Sequence, residues 1–364
     1  MKYILTILLL LHGAIHLMGF AKAFGYAEIE NIHAGISKTS GLFWLLAFAL
    51  FVASGIALLT KADWWYIVSF AAVLLSTVLI ITVWKDAKFG TIANIIILAA
   101  VIAGFSTANY YSWYQKEVKA GLSQTAALPV PVLTEQAIAS LPEPVKNYIR
   151  YTGSVGKPKV ENFKLEFTGQ IRKNEQSAWM PFTSEQYNFM QSSKRLFFMK
   201  AVMKGLPVAG FHCFKNGDAF MDIRLFSLFK VQYQSGKEMG IAETVTFFND
   251  MCCMAPATLI DKRITWLESD SSKVKAEFTN NGITVSAWLY FNEKGELFNF
   301  VSDDRFAAGE NNTMKRIRWS TPMKDYREID GYRLASYAEA IYSYPEGDLC
   351  YGTFSLKHIK FNNH

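Results

Sequence analysis

His12 and His16, in the apolar run HGAIHLMGF, are the first groups in the chain with chemistry to offer. Their i, i+4 spacing puts both imidazoles on one helix face. An ionisable side chain at membrane depth is costly unless partnered. A histidine pair can hold haem or a metal or pass a proton, yet a complete ligand set needs further His, Cys or carboxylate groups, and the other apolar segments contain none. The pair is therefore expected to hydrogen-bond between helices, to groups such as Asn94, Ser54 or Thr77, and to hold no metal or cofactor.

Cys213, Cys252, Cys253 and Cys350 show no C-x-x-C spacing, which argues against zinc and for reduced, buried thiols. His212 next to Cys213 is no catalytic couple if the segment is a strand, since neighbours there point to opposite faces. Asn249 and Asp250 lie in a helical segment, and Arg305 follows Asp303 and Asp304 at a strand end, so an Arg305–Asp250 ion pair is expected if the helix packs over that strand end. With Phe247, Phe248, Met251 and Trp266 these residues form the candidate ligand pocket. Signatures for dinucleotides, phosphate loops, zinc hydrolysis and the serine elbow are absent from the sequence. No long basic run occurs in a chain of net charge +6, so nucleic acid is not an expected partner.

Charge divides the chain that must position these groups. Up to Gln115 there are six Lys, no Arg and four acidic residues; the remaining 31 basic and 27 acidic residues follow. Two solvents are implied, lipid and then water. Tyr3–Phe20, Gly41–Leu59, Trp64–Val83 and about Phe89–Ala108 can each cross a bilayer as a helix, with Trp44, Trp64, Trp65, Trp84, Tyr110, Tyr111 and Trp113 near their ends. A cleavable signal peptide is the rival reading of the first segment, disfavoured because further spans follow. Lysine counting ties between the two sides of the membrane, and only the reduced cysteines tilt the soluble part to the cytoplasmic side. Residues 1–114 are thus read as a four-helix anchor and residues 115–144, with Pro129, Pro131, Pro142 and Pro144, as a linker that interrupts the fourth helix.

Residues 145–364 alternate with period two, as in Phe163, Leu165, Phe167 and in Val274, Ala276, Phe278. Asn216-Gly217, Asn281-Gly282, Lys294-Gly295, Asp330-Gly331 and Glu346-Gly347 mark tight turns, so a meander of about ten antiparallel strands is expected. One segment breaks this pattern. Gly240–Asp261 carries Ile241, Val245, Phe248 and Cys252 at helical spacing, with Glu243, Asn249 and Asp250 on the other face and Pro256 as its stop. It reads as an amphipathic helix on the open face of a curved sheet, with Glu243 towards solvent.

The stretches LPEPVKNYIRYTGSVGKPKV, WMPFTSEQ, LPVAGFHCFKNGDAFMDIRLFSLFKV and NDMCCMAPATLI, with Trp266 and Arg305, resemble an uncharacterised bacterial domain-of-unknown-function family over about Leu141 to Phe361. The resemblance implies no reaction. By analogy, the fold is similar to the half-barrel of bacterial lipoprotein carriers, a curved antiparallel sheet over helices.

The expected fold is α+β: a four-helix transmembrane bundle, then an antiparallel half-barrel-like domain with one central helix. The expected role is a binding module at the bacterial inner membrane for a membrane lipid or hydrophobic small molecule. The alternatives are a hydrolase-like enzyme on a membrane-derived substrate, using Asn249, Asp250 and Arg305, and a structural protein without ligand.

Overall fold

The computed structural model describes residues 2–30, 32–125, 130–309 and 313–364, so Pro129 of the expected linker lies outside the described residues. The chain divides into two compact units, Met1–Tyr110 and Tyr111–His364.

In the first unit the sequence forms α1 (Lys2–Phe24), α2 (Lys38–Leu59), α3 (Trp65–Thr82), the single turn α4 (Trp84–Ala87) and the start of α5 (Gly90–Thr125). α1, α2, α3 and α5 are long and apolar enough to cross a membrane. Small residues set how closely α1 and α2 approach. A Cβ added to Gly13 would lie 2.9 Å from Phe51 Cβ, and one on Gly19 would enter the Trp44 ring. Leu9, Phe51, Ala72, Val73, Ile97 and Val101 fill the centre.

α5 is longer than its apolar segment. Residues 116–125 contain no proline or β-branched run, so the helix continues to Thr125 where the linker was expected. Its residues in the second unit pack on the sheet: Tyr114 and Val118 are buried, and the Lys194 ammonium meets Glu117 Oε2 at 2.8 Å.

The rest of the second unit holds α6 (Glu135–Ile138), α7 (Glu143–Tyr151), α8 (Lys237–Met254) and a 3-10 helix at Pro256–Ile260. Before α8 come β1 (Asn162–Ile171), β2 (Met180–Phe189), β3 (Lys194–Met203), β4 (Leu206–Lys215), β5 (Asp218–Leu225) and β6 (Phe229–Ser235). After it come β7 (Ile264–Ser269), β8 (Lys273–Asn280), β9 (Ile283–Phe291), β10 (Leu297–Ser302), β11 (Phe306–Ala308), β12 (Met314–Arg316), β13 (Arg318–Ser320), β14 (Met323–Ile329), β15 (Tyr332–Tyr344) and β16 (Gly347–Phe361). Fourteen of these form one antiparallel sheet in the order β6-β5-β4-β3-β2-β1-β16-β15-β13-β10-β9-β8-β7, with β14 on β15, while β11 and β12 pair alone. The sheet is open, and the short strands β11 to β13 account for much of the excess over ten. Asn216 (φ 55°) with Gly217 (φ 89°), and Asn281 (φ 49°) with Gly282 (φ 78°), make the left-handed turns that Asn-Gly favours.

β6 and β7 are the two edges of this sheet, and α8 is the connection between them. About 27 Å of helix, at 1.5 Å per residue, carries the chain across the concave face. Phe247 and Phe248 stack on Phe278 at 6.0 and 5.4 Å, and Phe248 also meets Phe300 edge-on. The Tyr148 hydroxyl of α7 donates to the Cys252 carbonyl at 3.0 Å, fixing the end of α8. The helix stops at Pro256, as expected. Its polar face does not meet water: Glu243 is 1% exposed, and Asn249 and Asp250 are buried. The sheet curls far enough to enclose both faces of the helix, which corrects the solvent-facing placement of Glu243.

Candidate functional site

The concave side of β2 and β3 carries an unusual sequence pattern inward. Ser184, Gln186 and Asn188 of β2 are buried while their neighbours Thr183 and Glu185 turn outward, and Arg195 of β3 shares the inward face with Phe197 and Met199. Polar residues at buried positions need partners. The polar face of α8 supplies them for Gln186, Asn188 and Arg195. Arg195 Nε donates to Asp250 Oδ2 at 2.7 Å, its Nη1 to Glu243 Oε2 at 3.1 Å and its Nη2 to Gln186 Oε1 at 2.9 Å. Gln186 Nε2 and Asn188 Nδ2 donate to the same Asp250 oxygen at 2.8 and 3.0 Å. Asn249 Nδ2 donates to Thr321 Oγ1 at 3.1 Å.

Arg305 comes to this cluster from the other side, but its partner is Glu243, with Nη2 3.7 Å from Oε1. The expected Arg305–Asp250 pair is therefore replaced by Arg195–Asp250, with Glu243 bridging both arginines. Burial pushes the Glu243 carboxyl up, but the two guanidiniums outweigh it and hold it below the usual range. Burial raises the Asp250 carboxyl, with Arg195 and Asn188 opposing. Burial, helped by Arg195 and Arg305, lowers His212 to about 4, so its imidazole is neutral.

Above this polar floor lies a cavity of about 380 Å³ between α8 and the sheet. It is lined by Phe167, Phe182, Phe197, Met199, Met221 and Ile223, and the lining continues through Phe354, which packs on Phe182 at 5.3 Å, to Trp319, Ala340, Tyr342 and Tyr351. Size and lining are those of a small-molecule site, apolar walls with a few convergent polar groups. Of the residues singled out from sequence, Asn249, Asp250 and Arg305 line this cavity. Phe247, Phe248 and Met251 sit in the core on the other side of α8, and Trp266 packs against that core from β7. Arg195 and Gln186 escaped the sequence reading, and Glu243 entered it only as a solvent-facing residue of the helix. The available signal was the alternation of Ser184, Gln186 and Asn188 in a strand whose other face is aromatic and charged.

The arrangement is suited to holding a molecule more than to attacking one. Asp250 already accepts three donors on one oxygen, and Glu243 is held by two arginines, so neither is a ready base. Cys253, at the cavity wall, accepts from Asn249 Nδ2 at 3.4 Å, and burial raises its thiol well above the usual value. His212 faces the cavity while burial, reinforced by Glu117, raises Cys213 to about 12, so the two neighbours share no chemistry.

In the first unit, His12 Nε2 donates to Asn94 Oδ1 at 2.9 Å, His16 Nδ1 to the His12 carbonyl at 2.9 Å, and the Ser76 hydroxyl lies 3.0 Å from His16 Nε2. Asn94 Nδ2 continues the chain to Thr77 Oγ1 at 3.0 Å. Neutral imidazoles satisfy every one of these bonds. Ser54 takes no part; it donates to its own helix at Leu50. Among the described residues no cluster of three metal-ligating side chains occurs.

The family model described as "Family of unknown function (DUF6544)" matches residues 131–354, close to the span over which the motifs indicated a family. No curated protein matches the chain. Among solved structures it is similar to a LolA-superfamily protein from Nitrosomonas europaea, with TM-score 0.33, 8% identity, 60% of this chain and 94% of that one covered. A DUF1329 family protein from Desulfovibrio piger matches with TM-score 0.34, 11% identity and coverage of 60% and 91%.

Proposed function

Because the chain belongs to DUF6544, a family of unknown function that hands on no reaction, we propose its role from its own residues: a membrane-anchored module that binds one apolar or amphipathic, lipid-like molecule. The observation that carries this is the cavity itself. A protein that only needed a rigid domain would let α8 close on the sheet, yet about 380 Å³ stays open beside a helix that is otherwise packed on all sides. The aromatic and methionine walls favour hydrocarbon over charge. The charged floor is neutral as a set, two arginines facing two carboxylates, and so suits the polar end of an amphipath better than a free ion. Four apolar helices keep the module where such molecules are concentrated.

The test is to fill the cavity without touching the floor. Ala340 is small, buried and part of the wall. The full chain purified in detergent is expected to carry a stoichiometric bound lipid or other apolar molecule, seen by mass spectrometry of the extracted protein. Ala340→Trp should lose it while keeping its thermal unfolding. If the wild-type chain carries none and takes up neither a long-chain fatty acid nor the matching alcohol, the binding role fails.

A further inference from the structure

We infer that the two hairpin tips at one end of the sheet form a docking surface for an anionic lipid bilayer. β4 lies between β3 and β5, Val208 pairs with Leu225, and the Phe226 N–H donates to the Pro207 carbonyl at 2.9 Å. The turns β3–β4 and β5–β6 are therefore side by side. They expose Val202 (54%), Phe229 (61%) and Val231 (52%), with Met203, Leu206 and Leu228 also on the surface. Edge strands in water are usually blunted by charge. β6, an edge of this sheet, instead turns large apolar side chains outward, and a contiguous patch of this kind marks an interaction surface.

Charge and chain direction select the partner. Residues 200–207 and 222–232 contain Lys200, Lys204, Arg224 and Lys230 against one acid, Asp222, and that acid is bound to Arg224. A basic, apolar tip matches an anionic bilayer surface, into which apolar side chains insert while lysines meet headgroups. The chain also enters the second unit at this end. Tyr111 lies against Phe198 and under the Lys200 ammonium, whereas Glu117 reaches Lys194 at the other end of β3. The residues before Tyr111 in the chain are the apolar ones read as membrane-crossing. Ile171, Arg172 and Tyr344 of the cavity lining belong to this same end of the sheet, by the pairing of Ile171 with Met180 and of Phe182 with Ala201. Docking would place this end of the cavity lining at the headgroups. The inference rests on the anchor but not on what the cavity holds.

The test uses the full chain in nanodiscs of phosphatidylcholine with and without phosphatidylglycerol. Cys213, Cys252 and Cys253 are buried, so in a Cys350→Ser background Leu228→Cys takes a polarity-sensitive fluorophore selectively. Ser271→Cys, on the β7–β8 turn, is the control. Nitroxide-labelled acyl chains should quench the probe at 228 and spare that at 271, with more quenching when phosphatidylglycerol is present. Lys204→Glu and Lys230→Glu should remove that increase, each weakening docking roughly fivefold. Equal quenching at 228 and 271 overturns the proposal, and equal quenching in the two lipid mixtures overturns its anionic specificity. A probe at 228 shielded in detergent alone, with a dimer by light scattering, would assign the surface to a second copy. Lipid retained in the cavity is read separately through Ala340→Trp, so the two ideas fail independently.

Discussion

Arg195→Met tests the charged floor of the cavity. Among the described residues Arg195 is the side chain that touches both carboxylates, through bonds of 2.7 Å to Asp250 and 3.1 Å to Glu243, and it is buried with them. Methionine keeps the length of the stem and adds no clash, so the loss is electrostatic. Stranding a buried ionised partner costs about 3–5 kcal/mol, and Arg305 at 3.7 Å holds back part of that for Glu243, so about 3 kcal/mol is expected at pH 7. The pH dependence separates this cause from lost packing. In the wild-type chain the folded Glu243 carboxyl lies below its unfolded value, so it contributes stability above about pH 4.5 that is lost as pH falls through the folded value. In the variant that depression is relieved and both carboxyls take up protons at higher pH. The gap between wild type and variant should therefore narrow from pH 7 to pH 5. Adding Glu243→Gln and Asp250→Asn should recover most of it, since the charges are then absent. Denaturant midpoints of the full chain in micelles, followed by tryptophan fluorescence, give these values. A gap under about 1 kcal/mol, or one that does not change with pH, would refute the reasoning, because a buried paired cluster predicts both.

Two further outcomes follow from the core and from His212. Phe248→Ala removes a ring stacked on Phe278 and packed on Phe300 and should cost about 3–5 kcal/mol in the same unfolding assay; a cost below about 1 kcal/mol would mean that α8 does not hold the concave face. His212, about 4 when folded against 6.5 when free, is neutral in the folded chain, so the unfolded chain takes up a proton first as pH falls and stability is lost between about pH 6.5 and 4. At pH 5 the loss is about 2 kcal/mol at roughly 1.4 kcal/mol per unit; His212→Asn should flatten the profile between pH 6.5 and 5, and an unchanged slope would place the titrating group elsewhere.

The lengths of the apolar segments, the period-two pattern and the Asn-Gly turns are local properties, and from them the sequence by itself determined four long apolar helices, an antiparallel β domain and one interrupting helix. Backbone hydrogen bonding and the reach of a strand or helix leave little freedom there. The family was legible for the same reason, in contiguous motifs. The pairing of His12 with Asn94 was within reach because only a few polar groups exist among those apolar helices to satisfy it. Tertiary structure alone decided which polar residues meet. Gln186 and Glu243 carry the marks of solvent-facing positions, and Arg195 carries no mark at all. They are buried because α8 joins the two edge strands and so lies inside the curl of the sheet, which brings β2, β3 and the Arg305 loop, more than a hundred residues apart, to one helix face. That closure also put Phe247, Phe248 and Met251 in the core and left the cavity on the opposite side of α8. Burial of a charge depends on the global path of the chain, and no local spacing encodes that path.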